Sequence, residues 1–238
     1  MAAKKRARAK ASRSPVKRRT AAQAKAPGPA LKRRAAAVLK RLEKANPDWG
    51  PTLRFRDAFE LLVATILAAQ ASDESVNQVT ERLFQKYRGP EDFLRAPQEE
   101  LERDVHSLGF FRQKAKALKA MSQGLLEKFG GEVPKDVETL TQLHGVGRKT
   151  ASIVIGAAYG VPAIGVDRHV ARVSQRLGFT KQSDPEKIER DLAAIFPKED
   201  WIKATWCLVL HGRRICTPTP QCPVCPVRDL CPYPKKTK

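Results

Sequence analysis

Apolar residues recur at helical spacing along almost the whole chain, and nowhere do apolar and polar residues alternate for long enough to build a sheet. Segments with the helical period run from Leu31 to Ala45, Ala58 to Ala69, Ser75 to Tyr87, Gln98 to Leu108 and Gln113 to Phe129. They continue over Val137 to Leu143, Lys149 to Tyr159, Asp167 to Leu177, Pro185 to Phe196 and Trp201 to Cys216. The breaks carry turn chemistry: Pro47-Asp48, Gly89-Pro90, Gly109, Gly130-Gly131, Gly178 and Pro197-Lys198. Ser183-Asp184-Pro185-Glu186 sets a capping residue just ahead of a proline at the first helical position. The pattern predicts an all-α protein of roughly ten helices, with no repeat at a solenoid period.

Within that frame, Leu143-His144-Gly145-Val146-Gly147-Arg148-Lys149-Thr150-Ala151 stands out, with Val166-Asp167-Arg168-His169 downstream of it. A Gly-x-Gly turn at a helix start presents backbone N–H groups that suit a phosphate oxygen. Alone, such a pair also fits a helix C-cap and a tight connection between two helices. Lys149 opens the apolar helix that follows. Lysine can lose its proton inside a protein and become a carbon nucleophile, and a carboxylate such as Asp167 could orient or deprotonate it. A first-turn lysine sits badly beside the positive end of a helix, which favours a functional reading. Asp167 equally suits the N-cap of the next helix, and both roles are compatible. His169 reads as a satisfied structural histidine.

Four of the five cysteines cluster as Cys216-x5-Cys222-x2-Cys225-x5-Cys231, separated by loop-forming residues. Grouped cysteines in an intracellular chain favour a metal over disulfides. Structural zinc commonly uses two short Cys-x-x-Cys knuckles. One short pair flanked by two longer loops suits a [4Fe–4S] cluster better, while zinc, disulfides and free thiols stay open on spacing alone. Cys207, inside Trp206-Cys207-Leu208-Val209-Leu210, reads as a small buried hydrophobe.

The 238 residues could hold one large or two small domains. Charge is unevenly spread over them. Of 45 Lys and Arg, 15 fall in residues 1–42, which contain no Asp or Glu, leaving 30 basic against 25 acidic residues in the remainder. About the first 30 residues read as a disordered basic tail, too poor in apolar surface to offset its ordering entropy. Nucleic acid is the default polyanion for such a tail, with membrane headgroups second. No apolar segment of a secretory signal follows Lys4-Lys5-Arg6. The longest apolar stretch, Ala151 to Val166, is interrupted by Ser152, Gly156, Gly160 and Pro162 and falls short of a bilayer span. A soluble intracellular protein is expected, with no membrane partner: cytoplasmic and nucleoid-associated in a bacterium, nuclear or organellar in a eukaryote.

Taken together, Phe59-Glu60-Leu61-Leu62, Leu67-Ala68-Ala69-Gln70-Ala71-Ser72-Asp73, Leu143 to Ala151, Val166 to His169, His211-Gly212-Arg213 and the four-cysteine loop resemble the endonuclease III family of DNA glycosylases, within the helix-hairpin-helix superfamily. The resemblance spans about Leu31 to Tyr233. It implies two helical domains flanking a DNA-binding cleft: a six-helix barrel with the hairpin (residues 51–161) and a [4Fe–4S] domain built from residues 31–50 and 162–238. The implied activity is a bifunctional glycosylase and abasic-site lyase that removes oxidised pyrimidines from duplex DNA, acting as a monomer on damaged or abasic double-stranded DNA.

The same resemblance assigns roles by position. Lys149 is the nucleophile that forms a Schiff base at C1′, and Asp167 positions it, accepts its proton and stabilises the charged sugar. Cys216, Cys222, Cys225 and Cys231 hold the cluster. Gln70 enters the gap left by the flipped base, and Phe110 is the wedge, where relatives often carry Leu; otherwise Gln70 would be a helix-end amide and Phe110-Phe111 ordinary core. Gly145, Val146, Gly147 and Arg148 grip a phosphate, with Lys203, Arg213, Arg214 and Arg228 as further basic contacts. Three departures are visible: five residues separate Cys216 from Cys222 where the family usually has six, His144 replaces a common Pro, and Arg168 a common Thr. The resemblance puts these changes on substrate preference and on a tightened cluster loop, with the chemistry kept.

Overall fold

The computed structural model describes residues 26–237, and its regular structure is entirely helical. Eleven α-helices follow one another: α1 (Pro29–Ala45), α2 (Ala58–Leu67), α3 (Asp73–Lys86), α4 (Pro90–Arg95), α5 (Gln98–Asp104), α6 (Phe111–Phe129), α7 (Val137–Leu140), α8 (Arg148–Tyr159), α9 (Arg168–Arg176), α10 (Pro185–Ile195) and α11 (Trp201–Arg214). The basic tail expected over residues 1–30 lies outside the described residues apart from 26–30, and there Pro29 and Ala30 already belong to α1. Helix α4 departs from the expectation. Gly89-Pro90 reads as a break, yet Gly89 is the N-cap and Pro90 the first helical residue, where its missing N–H costs nothing. At the end of the segment read as Gln98 to Leu108, α5 stops at Asp104 and His106–Leu108 tightens into a 3₁₀ turn. No described helix is long and apolar enough to cross a membrane.

Two separate clusters of buried side chains organise the helices. The first draws on residues 58–155, with Leu61, Leu62, Leu67, Phe93, Leu101, Leu118, Met121 and Ile155 fully enclosed. Helix α2 runs through it, buried on nearly every face, and packs on α8. The second joins Val38 and Leu42 of α1 to Val170 and Val173 of α9, Ile188 and Leu192 of α10, and Leu208 of α11. Cys207 is fully buried there, as expected, and burial pushes its thiol up to about 12. Each terminal segment therefore contributes to one core although more than a hundred residues intervene, the usual result when an amphipathic helix must hide one stripe.

Helices α9 and α11 approach closely at Gly212, where an added Cβ would stand 2.8 Å from the Cβ of His169. Between the two cores run polar ties. Arg148 of α8 donates from Nε and Nη2 to Glu189 of α10 at 2.7 and 2.9 Å. Arg213 of α11 donates to Asp73 of α3 at 2.6 Å.

Candidate active site

A cleft of about 790 Å³ opens between the two cores, and the starts of α8 and α9 both face it. Lys149, at the second position of α8, and Asp167, the N-cap of α9, line it together with Gln70, Asp73, His169 and Arg213. Asp167 Oδ1 accepts from the backbone N–H groups of His169 and Val170 at 2.7 and 2.8 Å. The N-cap expectation thus holds, and Oδ2 makes no hydrogen bond among the described residues. Helix α8 starts differently. Its N-cap is Gly147, no side chain caps it, and its first turn contains no acid. Lys149 is exposed and forms no salt bridge among the described residues.

Beside the cleft runs a groove lined by Gln70, Phe110, Lys114 and Gly145. Gln70 (φ 56°) and Phe110 (φ 47°) are the two non-glycine residues with positive φ among the described residues. Such a backbone costs on the order of 1–3 kcal/mol per residue and persists where the surroundings enforce it, commonly at functional sites. Both residues are exposed, Phe110 by 58%. The two phenylalanines of the Phe110-Phe111 pair part company: Phe111 packs against the first core and under His106, whose ring centroid is 4.5 Å away. Gly145 turns the chain at φ 78°, and Val146 plugs into the core with its N–H donating to the Leu143 carbonyl at 3.2 Å, so that the exposed residues of the turn are Gly145 and Gly147.

Several expected basic contacts are engaged elsewhere. The Arg148 guanidinium is held between Glu138 and Glu189, whose carboxylates raise its pKa, so it ties helices together and does not line the cleft or the groove. Arg214 donates to Asp48 and Asn46, and Lys203 pairs with Asp200 and Glu43. Arg228 is exposed. His169 is half-buried, with Arg172 at 3.1 Å from Nδ1 and Arg168 donating to Nε2 at 3.2 Å. Burial, helped by both arginines, holds its pKa below the usual value against the opposing pull of Asp167.

One residue of the cleft escapes a reading of the sequence. Asp73 accepts from Thr52 and from Arg213, tying the segment before α2, the start of α3 and the end of α11 together. Burial raises its carboxyl, but the Thr52 hydroxyl, Arg213 and the charge of Lys149 outweigh that and hold it below the usual carboxylate range. The only signal in the sequence is its place at the end of Ala71-Ser72-Asp73, because its partner stands 140 residues away.

Cys216, Cys222, Cys225 and Cys231 surround one cavity walled by Leu177, Ile215 and Val227. All four are free thiols, with no disulfide among the described residues. Among the described residues no three His, Cys, Asp or Glu side chains are grouped closely enough to hold one metal ion. Arginines brace the loop: Arg176 donates to the Cys216 Sγ at 3.3 Å and to the Thr217 carbonyl at 2.6 Å, and Arg172 donates to the Cys216 carbonyl at 2.9 Å. Thr237 donates to the Pro220 carbonyl at 2.6 Å and accepts from the Cys222 N–H at 3.1 Å, closing the short first loop. Burial raises the Cys225 and Cys231 thiols, with the neighbouring cysteines adding to it.

Comparison with known proteins matches this arrangement. Residues 63–198 match the HhH-GPD superfamily of base excision DNA repair proteins. Endonuclease III of Bacillus subtilis is 49% identical over 175 residues, covering 73% of this chain and 80% of the relative. Endonuclease III of Synechocystis is 44% identical over 197 residues, covering 82% and 90%. The structure of a trapped endonuclease III–DNA covalent intermediate superposes with a TM-score of 0.81 at 45% identity, covering 85% of this chain and 96% of that one. With an open hairpin, a lysine and a carboxylate across one cleft, and sequence identity over most of its length, the chain belongs to the endonuclease III family of DNA glycosylase/AP lyases, within the HhH-GPD superfamily of base excision repair proteins.

Proposed function

We propose that this protein removes oxidised pyrimidines from duplex DNA through a Schiff base on Lys149 and then cuts the strand 3′ to the abasic site by β-elimination. The observation that carries the reading is the side chain of Lys149, without a salt bridge among the described residues, sharing one cleft with the half-committed carboxylate of Asp167. The neutral amine attacks C1′, the bond from C1′ to the base breaks, and the base leaves with a proton. The sugar ring opens to an imine, which acidifies the C2′ proton. Loss of that proton expels the 3′ phosphate. Asp167 keeps Oδ1 on the helix amides and turns Oδ2 to the reaction, accepting a proton from the amine and stabilising positive charge on the sugar.

Reaching C1′ requires the nucleotide to leave the stack, at a cost of a few kcal/mol that damage reduces. Gln70 enters the vacated space with its amide toward the orphaned partner base, and Phe110 stacks on a neighbouring base face. The N–H groups of Gly145 and Gly147 hold a phosphate, with the Val146 N–H kept on the Leu143 carbonyl and its side chain anchoring the turn, a contact that positions the duplex without reading sequence. Arg148, engaged by two carboxylates, contributes to that grip through the placement of the α8 start. In this reading the two cores are two domains, residues 51–161 and residues 31–50 with 162–238, and one copy of the chain suffices. A cellular location with access to DNA follows from the substrate, and removal of residues 1–30 would weaken binding to undamaged duplex.

The cysteine loop fits a [4Fe–4S] cluster. Four free thiols around one cavity supply the donor set of a Cys₄-ligated cluster. Cys216, Cys222, Cys225 and Cys231 would hold it, and its contribution is to fold the loop so that side chains such as Arg228 present to DNA. The reaction is tested by borohydride reduction on abasic duplex followed by peptide mapping. A covalent adduct on Lys149 is expected, and the absence of any adduct overturns the reading.

A further inference from the structure

Lys114 is the most deeply buried cationic side chain near the groove: it is 4% exposed, and it makes no salt bridge among the described residues. An ammonium held so far from water without a carboxylate is costly, and burial lowers its pKa accordingly. Its geometry shows what offsets the cost. Nζ donates to the carbonyl of Leu108 at 2.7 Å, and the backbone N–H of the same residue donates to the carbonyl of Phe110 at 3.0 Å. One residue therefore grips the turn on both sides of Gly109.

That turn is under strain. Gly109 (φ 62°) and Phe110 (φ 47°) are consecutive positive-φ residues, and the second is an aromatic residue in a region that favours glycine. Leu108 before them is buried and Phe111 after them packs on the core, so only Phe110 points out. A return of Phe110 to negative φ would swing its Cα–Cβ bond through more than a right angle and take the ring off the groove. We infer that Lys114 is a positioning residue for base extrusion: by holding the Leu108 carbonyl it locks the 108–110 turn and keeps Phe110 aimed along the groove it shares with Gln70. This rests on the reading of Phe110 as the wedge in the proposed reaction. Lys119, the next half-buried lysine on α6, offers a contrast, since it donates to the carbonyls of Leu94 and Ala96 at the end of α4, away from the groove.

The test is a double-mutant cycle on the cluster-loaded full-length protein. Single-turnover base removal is measured at saturating enzyme on a duplex with one oxidised pyrimidine, for Lys114→Met, Phe110→Ala and both together. Lys114→Met is expected to slow the step about tenfold, and to add less than about twofold once Phe110→Ala is present, because residues acting as a unit are not additive. In parallel, 2-aminopurine beside the lesion reports unstacking without chemistry; its fluorescence rise should be lost alike in Lys114→Met and Phe110→Ala. If Lys114→Met does not fold, Lys114→Gln enters the same cycle. Losses that multiply in the double variant, or an unchanged fluorescence rise in the lysine variant, overturn the role of Lys114. Borohydride trapping of the unsubstituted protein on abasic duplex separates the two levels: no adduct sinks the proposed reaction, whereas a normal adduct with a multiplicative cycle sinks only the inference about Lys114.

Discussion

Helices α8 and α9 both begin at the same cleft, and they solve the problem of a helix start in opposite ways. Every helix leaves its first N–H groups without intrahelical partners. At α9 the chain supplies its own acceptor, the Asp167 carboxylate, which takes two of them. At α8 it supplies a glycine without a side-chain cap, no acidic residue in the first turn, and a lysine that adds to the unfavourable positive end. Each choice costs α8 some local stability. One start is thus capped within the free protein, whereas the other has no side-chain acceptor among the described residues, and in the proposed reaction a phosphate completes it. Lysine and carboxylate line the same cleft although the two helices belong to different cores.

Removing the lysine tests this contrast most severely. Lys149→Ala should abolish both borohydride trapping and strand cleavage, while melting temperature and affinity for undamaged duplex stay nearly unchanged, because the side chain is exposed and forms no salt bridge among the described residues. Undiminished cleavage by this variant would end the proposed mechanism. Next in size is Asp167→Asn. Asparagine caps a helix about as well as aspartate, so the fold should hold while single-turnover cleavage falls about a hundredfold, the range for removing a positioned general base. Some trapping should survive, since the nucleophile remains. An equal fall in melting temperature and rate would mean that Asp167 serves α9 alone.

A lesser change should follow from closing the open start. Gly147 has φ −83°, and a Cβ added there would meet nothing within 4 Å, so a side chain fits without strain. Gly147→Asp should place a carboxylate where the phosphate would sit. Affinity for undamaged duplex should fall roughly fivefold through competition and repulsion, and the salt dependence of log K should become shallower because a negative charge has been added beside the phosphates. Unchanged affinity and slope would show that the hairpin amides carry no phosphate.

How much of this was legible in sequence depends on how local the cause is. The helices were legible because amphipathic periodicity is written residue by residue, and the N-cap role of Asp167 because it concerns its immediate neighbours. Helix α4 was not, since Gly89-Pro90 carries the same letters for stopping a helix as for starting one. Placing Gln70 and Phe110 rested on family resemblance; their shared left-handed backbone, the physical mark that sets them apart, became visible only in three dimensions. The fate of Arg148 was invisible for a different reason: Glu189 lies 41 residues away, and which carboxylate a long cation finds is decided by packing. Asp73 was hidden in the same way, with its arginine on the other core.

Stability should respond least, and with opposite signs at the two helix starts. Asp167→Ala removes an acceptor that serves two N–H groups, and loss of such a cap costs about 1 kcal/mol. In a chain of this length that corresponds to a fall in melting temperature of about 2–4 °C. Gly147→Asp adds a cap and a negative charge at a positive helix end, but glycine is already a tolerable N-cap, so the gain should be only about 0.5 kcal/mol. The gain should shrink as salt is raised, because the charge interaction is screened while the hydrogen bond is not. Thermal melts of the full-length, cluster-loaded variants at two salt concentrations measure both. If Gly147→Asp stabilised α8 by as much as Asp167→Ala destabilised α9, the two starts would be equally incomplete without their caps. If it stabilised nothing, some group within the protein would already be satisfying the α8 amides, and a phosphate would find no free donor there.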